Sequence, residues 1–311
     1  MRKRSRLLLL VACALAGAAG AQQGLSFRRT TMRGRSLCLM WPGRDYVYHL
    51  DAAGTARTPR DAAVAAIEAA FDSWRALSAS CSDYRFIRGD DWTLPALAGY
   101  DKEHPADSYN VILFRDRACQ DLVAMDDPCW DAETCGNLYG CWQHGAATIG
   151  LTTSTYSFTD GRVLDADIEL NSSQPGGSTG FLFTTVNAPV CSGPAQPTCV
   201  ATDLQNTLTH EIGHVVGLDH VDDRGSTMEP TAPQGETAKR VIDSGSARGF
   251  CSTYPRGLPP TQCEPPKDEG MKLAVDGRGT GCASTGSGSA LASLVLVAGA
   301  LVRRRALRAG G

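Results

Sequence analysis

Three of the six histidines in this chain lie within one short stretch, which begins at His210 and reads HEIGHVVGLDH. Residues in a helix advance by about 100° each, so His210 and His214 would lie one turn apart on the same face. Two imidazole nitrogens placed in this way can bind a single Zn²⁺ ion. The spacing therefore predicts a metal site on a helix.

The residues around these two histidines complete a centre for hydrolysis. Glu211 is adjacent to the metal-binding face, where its carboxylate can hold a water molecule at the metal and accept a proton from it. Gly217 can adopt a positive φ angle and end the helix, so that His220 reaches the metal from the following loop. Three protein ligands leave one coordination position for water, as in catalytic zinc sites. The alternative is a helix whose histidines only cap or pack.

The segment that carries the motif has the features of an amphipathic helix. Thr202 is a candidate N-cap, and Gln205 would complete a capping box with it. An apolar stripe at spacings of four and three residues faces roughly away from the two histidines: Leu204, Leu208, Ile212 and Val215. One face of the helix would therefore pack into the core while the other lies beneath a cleft.

The extended pattern HExxHxxGxxH is followed by Met228 in the stretch STMEP, and together they resemble the zinc-binding signature and Met-turn of the metzincin proteases. From about residue 41 to about residue 255, the chain is similar to the matrixin-like branch of that family in its bacterial form. The resemblance implies a zinc endopeptidase in which Met228 supports the floor of the site. It also implies that Pro230 and Thr231 border the pocket for the residue after the cut.

The same resemblance implies an α+β fold: a twisted mixed sheet with a backing helix, a zinc-binding active-site helix and a C-terminal helix. The sequence fits this order, with strands expected at residues 46–50, 84–87, 111–114 and 165–171. Thr58 followed by Pro59 indicates the N-cap and first residue of the backing helix. Residues 147–152 would form the family's edge strand, along which an extended peptide lies by strand addition. Residues 236–254 would form the final helix and its exit.

Further metal sites would depend on acidic residues and on the remaining histidines. Three acidic residues alternate onto one face of a predicted strand: Asp165, Asp167 and Glu169. Residues 116–131 are also acid-rich, and bound Ca²⁺ at either place is one interpretation, with solvated carboxylates as the other. Three histidines outside the motif are interpreted as ordinary packed or surface residues: His49, His104 and His144. We therefore do not expect the second, structural zinc that relatives often carry.

Both ends of the chain resemble export signals, and they flank a predicted catalytic domain at residues 22–255. Residues 1–21 have the basic start, apolar stretch and Ala-x-Ala-like cleavage site of a secretory signal peptide, with lipidation at Cys13 as the alternative. Residues 256–280 are rich in proline and glycine, which is typical of a linker.

The C-terminal segment, residues 281–311, combines Cys282, an apolar run and an arginine cluster. This pattern resembles the MYXO-CTERM sorting tail of myxobacteria-like Gram-negative surface proteins. The resemblance implies display on the outer cell surface or release, with Cys282 as the anchor. A plain C-terminal membrane anchor is the alternative.

Cysteine usage fits an exported protein. Without Cys13 and Cys282, ten of the 12 cysteines remain, an even number that predicts disulfides. Cys191 and Cys199 are close enough for a local bridge. The four cysteines between residues 119 and 141 have zinc binding as their alternative, although CxxC spacing is lacking. We expect a disulfide at Cys38, and the alternative is a thiolate that caps the zinc, as the cysteine switch does in matrixins.

The charge distribution limits the partners that we expect. Eight of the 30 basic residues lie before Ala21 or after Val302, which leaves 22 basic against 33 acidic residues in the body. This balance argues against a nucleic-acid partner and favours a secreted domain. We expect a protein or peptide substrate, membrane contact only through the tail, and a monomer.

These observations together predict a secreted or surface-anchored zinc endopeptidase with one catalytic Zn²⁺. Two alternatives come from other classes: a non-catalytic surface binding or adhesion module, and a zinc amidase that acts on cell-wall peptides. Glu211 argues against the binding module, because binding alone needs no general base. The motif predicts hydrolysis of an amide but does not distinguish which amide.

Overall fold

A mixed β-sheet forms the frame of the molecule. The computed structural model describes residues 25–178, 180–263 and 273–276. The strands are β1 (Arg28–Arg29), β2 (Asp45–Leu50), β3 (Arg85–Arg88), β4 (Asn110–Arg115), β5 (Gly150–Ser157), β6 (Val163–Asn171), β7 (Phe183–Thr184), β8 (Thr202–Asp203), β9 (Leu218–Asp219) and β10 (Leu273–Asp276). The main sheet has the strand order β10-β5-β6-β4-β2-β3.

Strand direction divides this sheet into two parts. β3, β2, β4 and β6 run parallel to one another. β5 runs antiparallel to β6, and the short β10 runs antiparallel to β5 on its other side. Five strands with helices around them confirm the expected twisted mixed sheet, and β10 extends it. The remaining short strands pair separately, β1 with β9 and β7 with β8.

Four α-helices accompany the sheet: α1 (Arg60–Cys81), α2 (Cys135–Tyr139), α3 (Leu204–Val215) and α4 (Ser244–Thr253). α1 is the backing helix, and it buries Phe71 and Trp74. The predicted cap at Thr58 is wrong, because Pro59 occupies the N-cap position without a side-chain cap bond. The Thr58 hydroxyl instead donates to the carbonyl of Phe183 at 2.7 Å, which joins the helix start to β7.

The main core lies between the sheet, α1 and α3. Alternate residues of the strands point into it, as the two-residue period of a strand requires: Tyr46, Tyr48 and Leu50 of β2, and Ala166, Ile168 and Leu170 of β6. Trp74 crosses this core and donates its indole N–H to the carbonyl of Thr209 at 3.0 Å. α1 therefore fixes the position of α3 from behind.

Five disulfides confirm the prediction from cysteine usage. They are Cys38–Cys263, Cys81–Cys251, Cys119–Cys141, Cys129–Cys135 and Cys191–Cys199. The local bridge between Cys191 and Cys199 is as expected. The zinc alternative for the cysteine cluster is wrong, since all four sulfurs are used in bridges. The disulfide at Cys38 likewise leaves no thiolate there to cap a metal.

Most predicted strands are within one or two residues of their bounds in the structure, but two predicted elements differ by more. The strand expected at residues 147–152 begins at Gly150 and continues to Ser157, after a turn in which Thr148 donates to the carbonyl of Gly145. Residues 236–254 do not form one helix, because a short 3₁₀ turn at Ala238–Arg240 precedes α4. Asp243 starts α4 by accepting hydrogen bonds from the N–H groups of Gly245 and Ser246, so it acts as an N-cap.

The beginning of the segment interpreted as a linker packs against the domain. Gln262 accepts a hydrogen bond from the N–H of Cys38 at 2.7 Å and donates to the carbonyl of the same residue at 2.8 Å. The predicted signal peptide at 1–21, Cys13, Cys282 and the tail at 281–311 lie outside the described residues. Among the described residues, no helix combines the length and the apolar character that a membrane span requires.

Candidate metal centre

The helix α3 carries the motif, and its start is fixed by a carboxylate. Asp203 is the N-cap and accepts from the N–H of Asn206 at 2.8 Å, while Arg240 donates to the same carboxylate. The predicted capping box of Thr202 and Gln205 is therefore wrong by one residue. Thr202 pairs with Phe183 of β7, and the helix begins only after Asp203, whose side chain makes the cap bond.

The apolar side of α3 anchors the helix as predicted. Its four stripe residues are fully buried in the core: Leu204, Leu208, Ile212 and Val215. His210 and His214 project from the other side, and both are also buried. The amphipathic pattern thus turns one face to the core and the other to the site.

The three histidines of the motif meet at one point. The Nε2 atoms of His210 and His214 are 3.1 Å apart, and that of His220 is 3.1 Å from the first and 3.2 Å from the second. Within the ranges that the structure describes, these side chains are the group of three that could hold a metal ion. Three nitrogens in a small triangle leave their lone pairs directed at a shared position.

Backbone carbonyls set the tautomer of two of these imidazoles. Nδ1 of His210 lies 2.6 Å from the carbonyl oxygen of Thr227, and Nδ1 of His214 lies 2.8 Å from that of Leu218. A carbonyl can only accept, so each Nδ1 carries the proton. Each Nε2 is then the free acceptor nitrogen, as a metal ligand requires.

Burial keeps these imidazoles neutral. It lowers the pKa of His210 well below the ordinary histidine value, and the neighbouring imidazoles of His214 and His220 lower it further. Burial also lowers the pKa of His214 strongly, again with His220 adding to the effect. The pKa of His220 is lowered as well, chiefly by burial. Neutral imidazole is the form that binds a metal.

The turn after α3 depends on Gly217, whose φ of +84° confirms the predicted left-handed conformation. Its N–H donates to the carbonyl of His214 at 2.9 Å, which ends the helix. A Cβ at this position would come within 2.5 Å of the carbonyl oxygen of Leu39. The turn leads into β9, which places His220 opposite α3.

Glu211 lies between α3 and the strand β5. Oε2 of Glu211 accepts a hydrogen bond from the hydroxyl of Thr152 at 2.8 Å, and both residues are buried. Gly150 lets the strand approach, because a Cβ there would lie 3.0 Å from Oε1 of Glu211. The carboxylate is therefore held beside the histidines and against the start of β5.

Met228 packs beneath the histidines. It is buried, and a Cβ on Gly213 of α3 would lie only 2.3 Å from its sulfur. The backbone of Met228 is fixed from both sides, with its N–H donating to the Ser226 hydroxyl and its carbonyl accepting from the N–H of Val221. Met228 therefore packs against α3 at Gly213, one residue before His214.

Asp243 connects α4 to this turn. Its Oδ2 accepts from the N–H of Thr227 at 2.7 Å, and its own N–H donates to the Thr227 hydroxyl at 3.0 Å. Burial opposes ionisation of Asp243, but hydrogen bonds from Ser246 and Thr227 outweigh it and lower the pKa of the carboxyl. The carbonyl of Thr227 accepts from Nδ1 of His210. Asp243 therefore acts on His210 indirectly, through its hydrogen bonds to Thr227.

A cavity of about 250 Å³ opens beside the site. Asn206 and Thr207 form its wall on α3, one turn before His210 and Glu211, and Ile149 and Leu182 contribute apolar surface. Its position one helical turn from His210 and Glu211 suits the side chain of a bound peptide.

Pro230 and Thr231 are not among the residues that line this cavity. The residues directly after them line it instead: Ala232, Pro233 and Gln234. The carbonyl of Thr231 accepts a hydrogen bond from the buried Nζ of Lys239 at 2.7 Å. The backbone of Thr231 thus contacts Lys239, and this contact supports the adjacent residues that line the cavity.

The acidic residues of β6 lie on the face of the sheet away from α3. Burial raises the pKa of Asp165 to about 6, and it raises the pKa of Asp167 well above the ordinary range together with the charge of Asp165. Glu169 differs, because His144 and Arg115 outweigh its burial and lower its pKa. Nε of Arg115 lies 2.6 Å from Oε1 of Glu169.

The donor set at the centre fits zinc. At the usual Zn–N distance of about 2.0–2.1 Å, the nitrogens of a tetrahedral site are about 3.3 Å apart. The observed separations of 3.1–3.2 Å are close to this value. Three neutral imidazoles with their other nitrogens hydrogen-bonded, and a carboxylate beside them, define the centre of a metal-dependent hydrolase.

The family comparison agrees with this class. Residues 132–254 match the family model Peptidase_M10, described as Matrixin. No curated protein matches the chain. The matched region includes β5, α3, the three histidines, Glu211 and Met228. The site and the match together support a matrixin-like zinc metallopeptidase domain at residues 132–254.

The structure adds three residues that sequence reasoning missed: Thr152, Thr227 and Asp243. None of them belongs to the HExxHxxGxxH motif. Thr152 lies on β5 and Asp243 is the N-cap of α4, and the tertiary fold brings both to the site. The serine and threonine beside Met228 in the STMEP stretch were a usable signal for Thr227. No sequence signal singled out Thr152 or Asp243.

Proposed function

We propose that this protein is an exported zinc endopeptidase that cleaves protein or peptide chains. The observation that carries the proposal is the position of Glu211, which Thr152 holds between the three histidines and the start of β5. A carboxylate in that position can act on a peptide bond that lies along the strand.

His210, His214 and His220 would hold the ion. Bound zinc would supply a Lewis acid that polarises the scissile carbonyl and makes water a better nucleophile. The chain's own part is to place the peptide and to move the proton. β5 offers backbone groups to an extended peptide that runs antiparallel to it, and the cavity beside Thr207 receives the side chain after the cut.

Glu211 performs the proton transfer. It accepts a proton from water as the water oxygen forms a bond to the carbonyl carbon, and it gives that proton to the amide nitrogen as the C–N bond breaks. The products are a carboxylic acid and an amine, so atoms and protons balance. The Thr152 hydroxyl holds Oε2 of Glu211 and fixes the direction in which the carboxylate can act.

The test is cleavage of a mixed protein substrate by the full chain, beside Glu211→Gln and with zinc measured in both. Glutamine keeps the shape and the Thr152 contact but cannot take a proton. Internal cleavage by the parent alone, with about one zinc in each, would support the proposal. Bound zinc with cleavage of cell-wall peptides only would favour the amidase. Bound zinc with no hydrolysis of either substrate would favour the binding module.

We further propose an outer-surface or secreted location and a monomer that contacts membrane only through its tail. Five disulfides support an oxidising compartment, and the acidic body gives no reason to expect nucleic acid. Fractionation of the native cells with an antibody against the catalytic domain tests the location. Detection in the cytoplasm alone would contradict it.

Calcium is proposed only at the Asp165 and Asp167 pair. Oδ2 of Asp165 is buried without a hydrogen-bond partner, and a divalent cation would neutralise the two carboxylates in place of the protons that burial favours. Added Ca²⁺ should then raise the melting temperature of the parent but not of Asp165→Asn. Equal response of both proteins would contradict a site at this pair.

A further inference from the structure

Strand β10 lies on the side of β5 along which the proposed peptide substrate would bind. It pairs antiparallel with β5, so that Leu273 lies opposite Ser157 and Asp276 opposite Ser154. The other side of β5 is already paired with β6. Within the described residues, the outer backbone of β5 is therefore paired at 154–157, and no strand pairs with it at 150–153.

The unpaired part of β5 is the part beside the proposed catalytic residue. The Thr152 hydroxyl donates to Glu211, and a Cβ added at Gly150 would lie 3.0 Å from Oε1 of the same carboxylate. β10 thus leaves the catalytic half of the strand open and covers the distal half. Both halves belong to one continuous row of backbone donors and acceptors.

β10 runs in the direction that a peptide bound antiparallel to β5 would take. A substrate that pairs antiparallel with β5 has its amino-terminal residues opposite Ser157 and runs toward Gly150. β10 runs the same way, from Leu273 opposite Ser157 toward Glu211. It occupies the places that residues well before the cut would take in a long substrate.

We propose that β10 is a built-in occupant of the substrate edge and that it determines which peptides the cleft accepts. The inference rests on the proposed endopeptidase function. Short peptides, which need only the part of β5 at 150–153, bind without disturbing it. Peptides with an extended amino-terminal side bind fully only after β10 leaves the strand.

The attachment of β10 makes it an effective competitor. Cys263 is held to the body by its disulfide with Cys38, and nine residues separate it from Leu273 in the sequence. A short tether of this kind gives an effective concentration on the order of millimolar. A free peptide at micromolar concentration would therefore compete poorly for the covered half of β5.

The experiment compares the full chain with two replacement variants. One replaces residues 273–276 by Gly-Ser-Gly-Ser, which removes the strand sequence and keeps the chain length. The matched control replaces residues 264–267 in the same way and leaves β10 intact. Two fluorogenic peptides share the same residues at the cut, and they carry either three or about eight residues before it, the latter enough to reach Ser157 at about 3.3 Å per residue.

The β10 replacement should lower KM for the long peptide by about tenfold, since the tethered competitor is gone. It should leave kcat and all constants for the short peptide unchanged, and the control should behave as the parent does. A synthetic peptide of residues 271–278 should inhibit the β10 replacement competitively against the long substrate. Identical constants for the parent and the β10 replacement on both peptides would overturn the inference.

A second readout keeps the inference separate from the proposed function. Hydrogen exchange at the outward amides of residues 154–157 should be slow in the parent and faster in the β10 replacement, whether or not any peptide is cut. Equal exchange in the two proteins would overturn the occupancy of β5. Failure of every protein to cleave, with the exchange difference present, would instead count against the endopeptidase.

Discussion

At the scale of single residues, the metal centre is built to keep histidines uncharged. Burial lowers the pKa of His210 and His214, and each donates its Nδ1 proton to a backbone carbonyl. A histidine with a depressed folded-state pKa binds fewer protons than it would in the unfolded chain. Lower pH therefore favours the unfolded, metal-free form.

From this sign we expect zinc content and cleavage to be stable near neutral pH and to be lost together toward about pH 4, because protons then compete with the metal for the same nitrogens. Zinc retained after gel filtration and the initial rate of cleavage, both measured across the pH range, check this. Full retention of zinc and activity at about pH 4 would contradict it.

Thr152 is the residue whose loss should separate catalysis from metal binding. Thr152→Val removes the hydroxyl that holds Oε2 of Glu211 and keeps the shape of the side chain. We expect kcat to fall by about 10- to 100-fold, in the range seen for outer-shell partners, while zinc content stays the same. Thr153→Val is the matched control, because the next residue of a strand points to the opposite face. A similar loss of kcat in both variants would argue against the positioning role.

At the scale of elements, α3 is clamped between the core and the methionine turn. Trp74 holds it from α1, and Met228 packs against Gly213 so closely that no side chain fits between them. A helix and not a loop therefore carries two of the candidate metal ligands and the proposed base, His210, His214 and Glu211. This packing makes α3 sensitive to a single added methyl group.

Gly213→Ala tests that sensitivity, since its Cβ would lie 2.3 Å from the sulfur of Met228. Overpacking of this kind costs about 1–3 kcal/mol of unfolding free energy. Gly43→Ala is the control, because nothing lies within 4 Å of a Cβ at that position. Chemical unfolding of the two variants should show the loss for Gly213→Ala only. Parent-like stability of both would show that Met228 can move aside.

The buried Asp165 of β6 makes the free energy of unfolding depend on pH. The pKa of Asp165 is raised to about 6, so its folded form favours the proton, and the stability that the protonated pair provides is lost as pH rises through that value. Asp165→Asn should therefore raise the melting temperature at about pH 8 and change it little at about pH 5. A lower melting temperature at both pH values, in calcium-free buffer, would contradict this sign.

The sequence predicted the elements that carry strong local patterns and missed those that long-range contacts define. The positions of His210, Glu211 and Gly217 on the helix and its terminal turn could be predicted from the motif, because helix and turn geometry are local properties. The N-cap is Asp203 and not Thr202, and the long-range contact of Asp203 with Arg240 is visible only in the tertiary structure. β10 was interpreted as linker, since its pairing partner lies more than a hundred residues away in the chain.

At the scale of the whole molecule, disulfides join distant parts of the chain. Cys81–Cys251 links the end of α1 to α4 across 170 residues, whereas Cys191–Cys199 spans only 8. The cost of breaking each bridge should follow loop length, because a longer loop restricts the unfolded chain more. The disulfides are therefore expected to contribute different amounts to the free energy of unfolding.

Paired serine substitutions test this difference. Replacing Cys81 and Cys251 should cost about 5 kcal/mol of unfolding free energy, and replacing Cys191 and Cys199 about 2.5 kcal/mol, on the chain-entropy estimate. Denaturant titration of the two double variants gives both values. Equal losses would show that native packing at the bridges, and not loop length, sets the cost.

The bridge between Cys38 and Cys263 also decides what happens to a copy that is itself attacked. It joins two residues that are 225 positions apart, and the ring so closed contains five strands of the main sheet, β2 to β6, together with α3 and all three histidines. One cut anywhere inside that ring opens the polypeptide but releases no fragment, so a nicked molecule keeps its mass until a reductant is added. In a mixture where many copies meet one another, such molecules would accumulate as whole particles that separate into pieces only on a reducing gel.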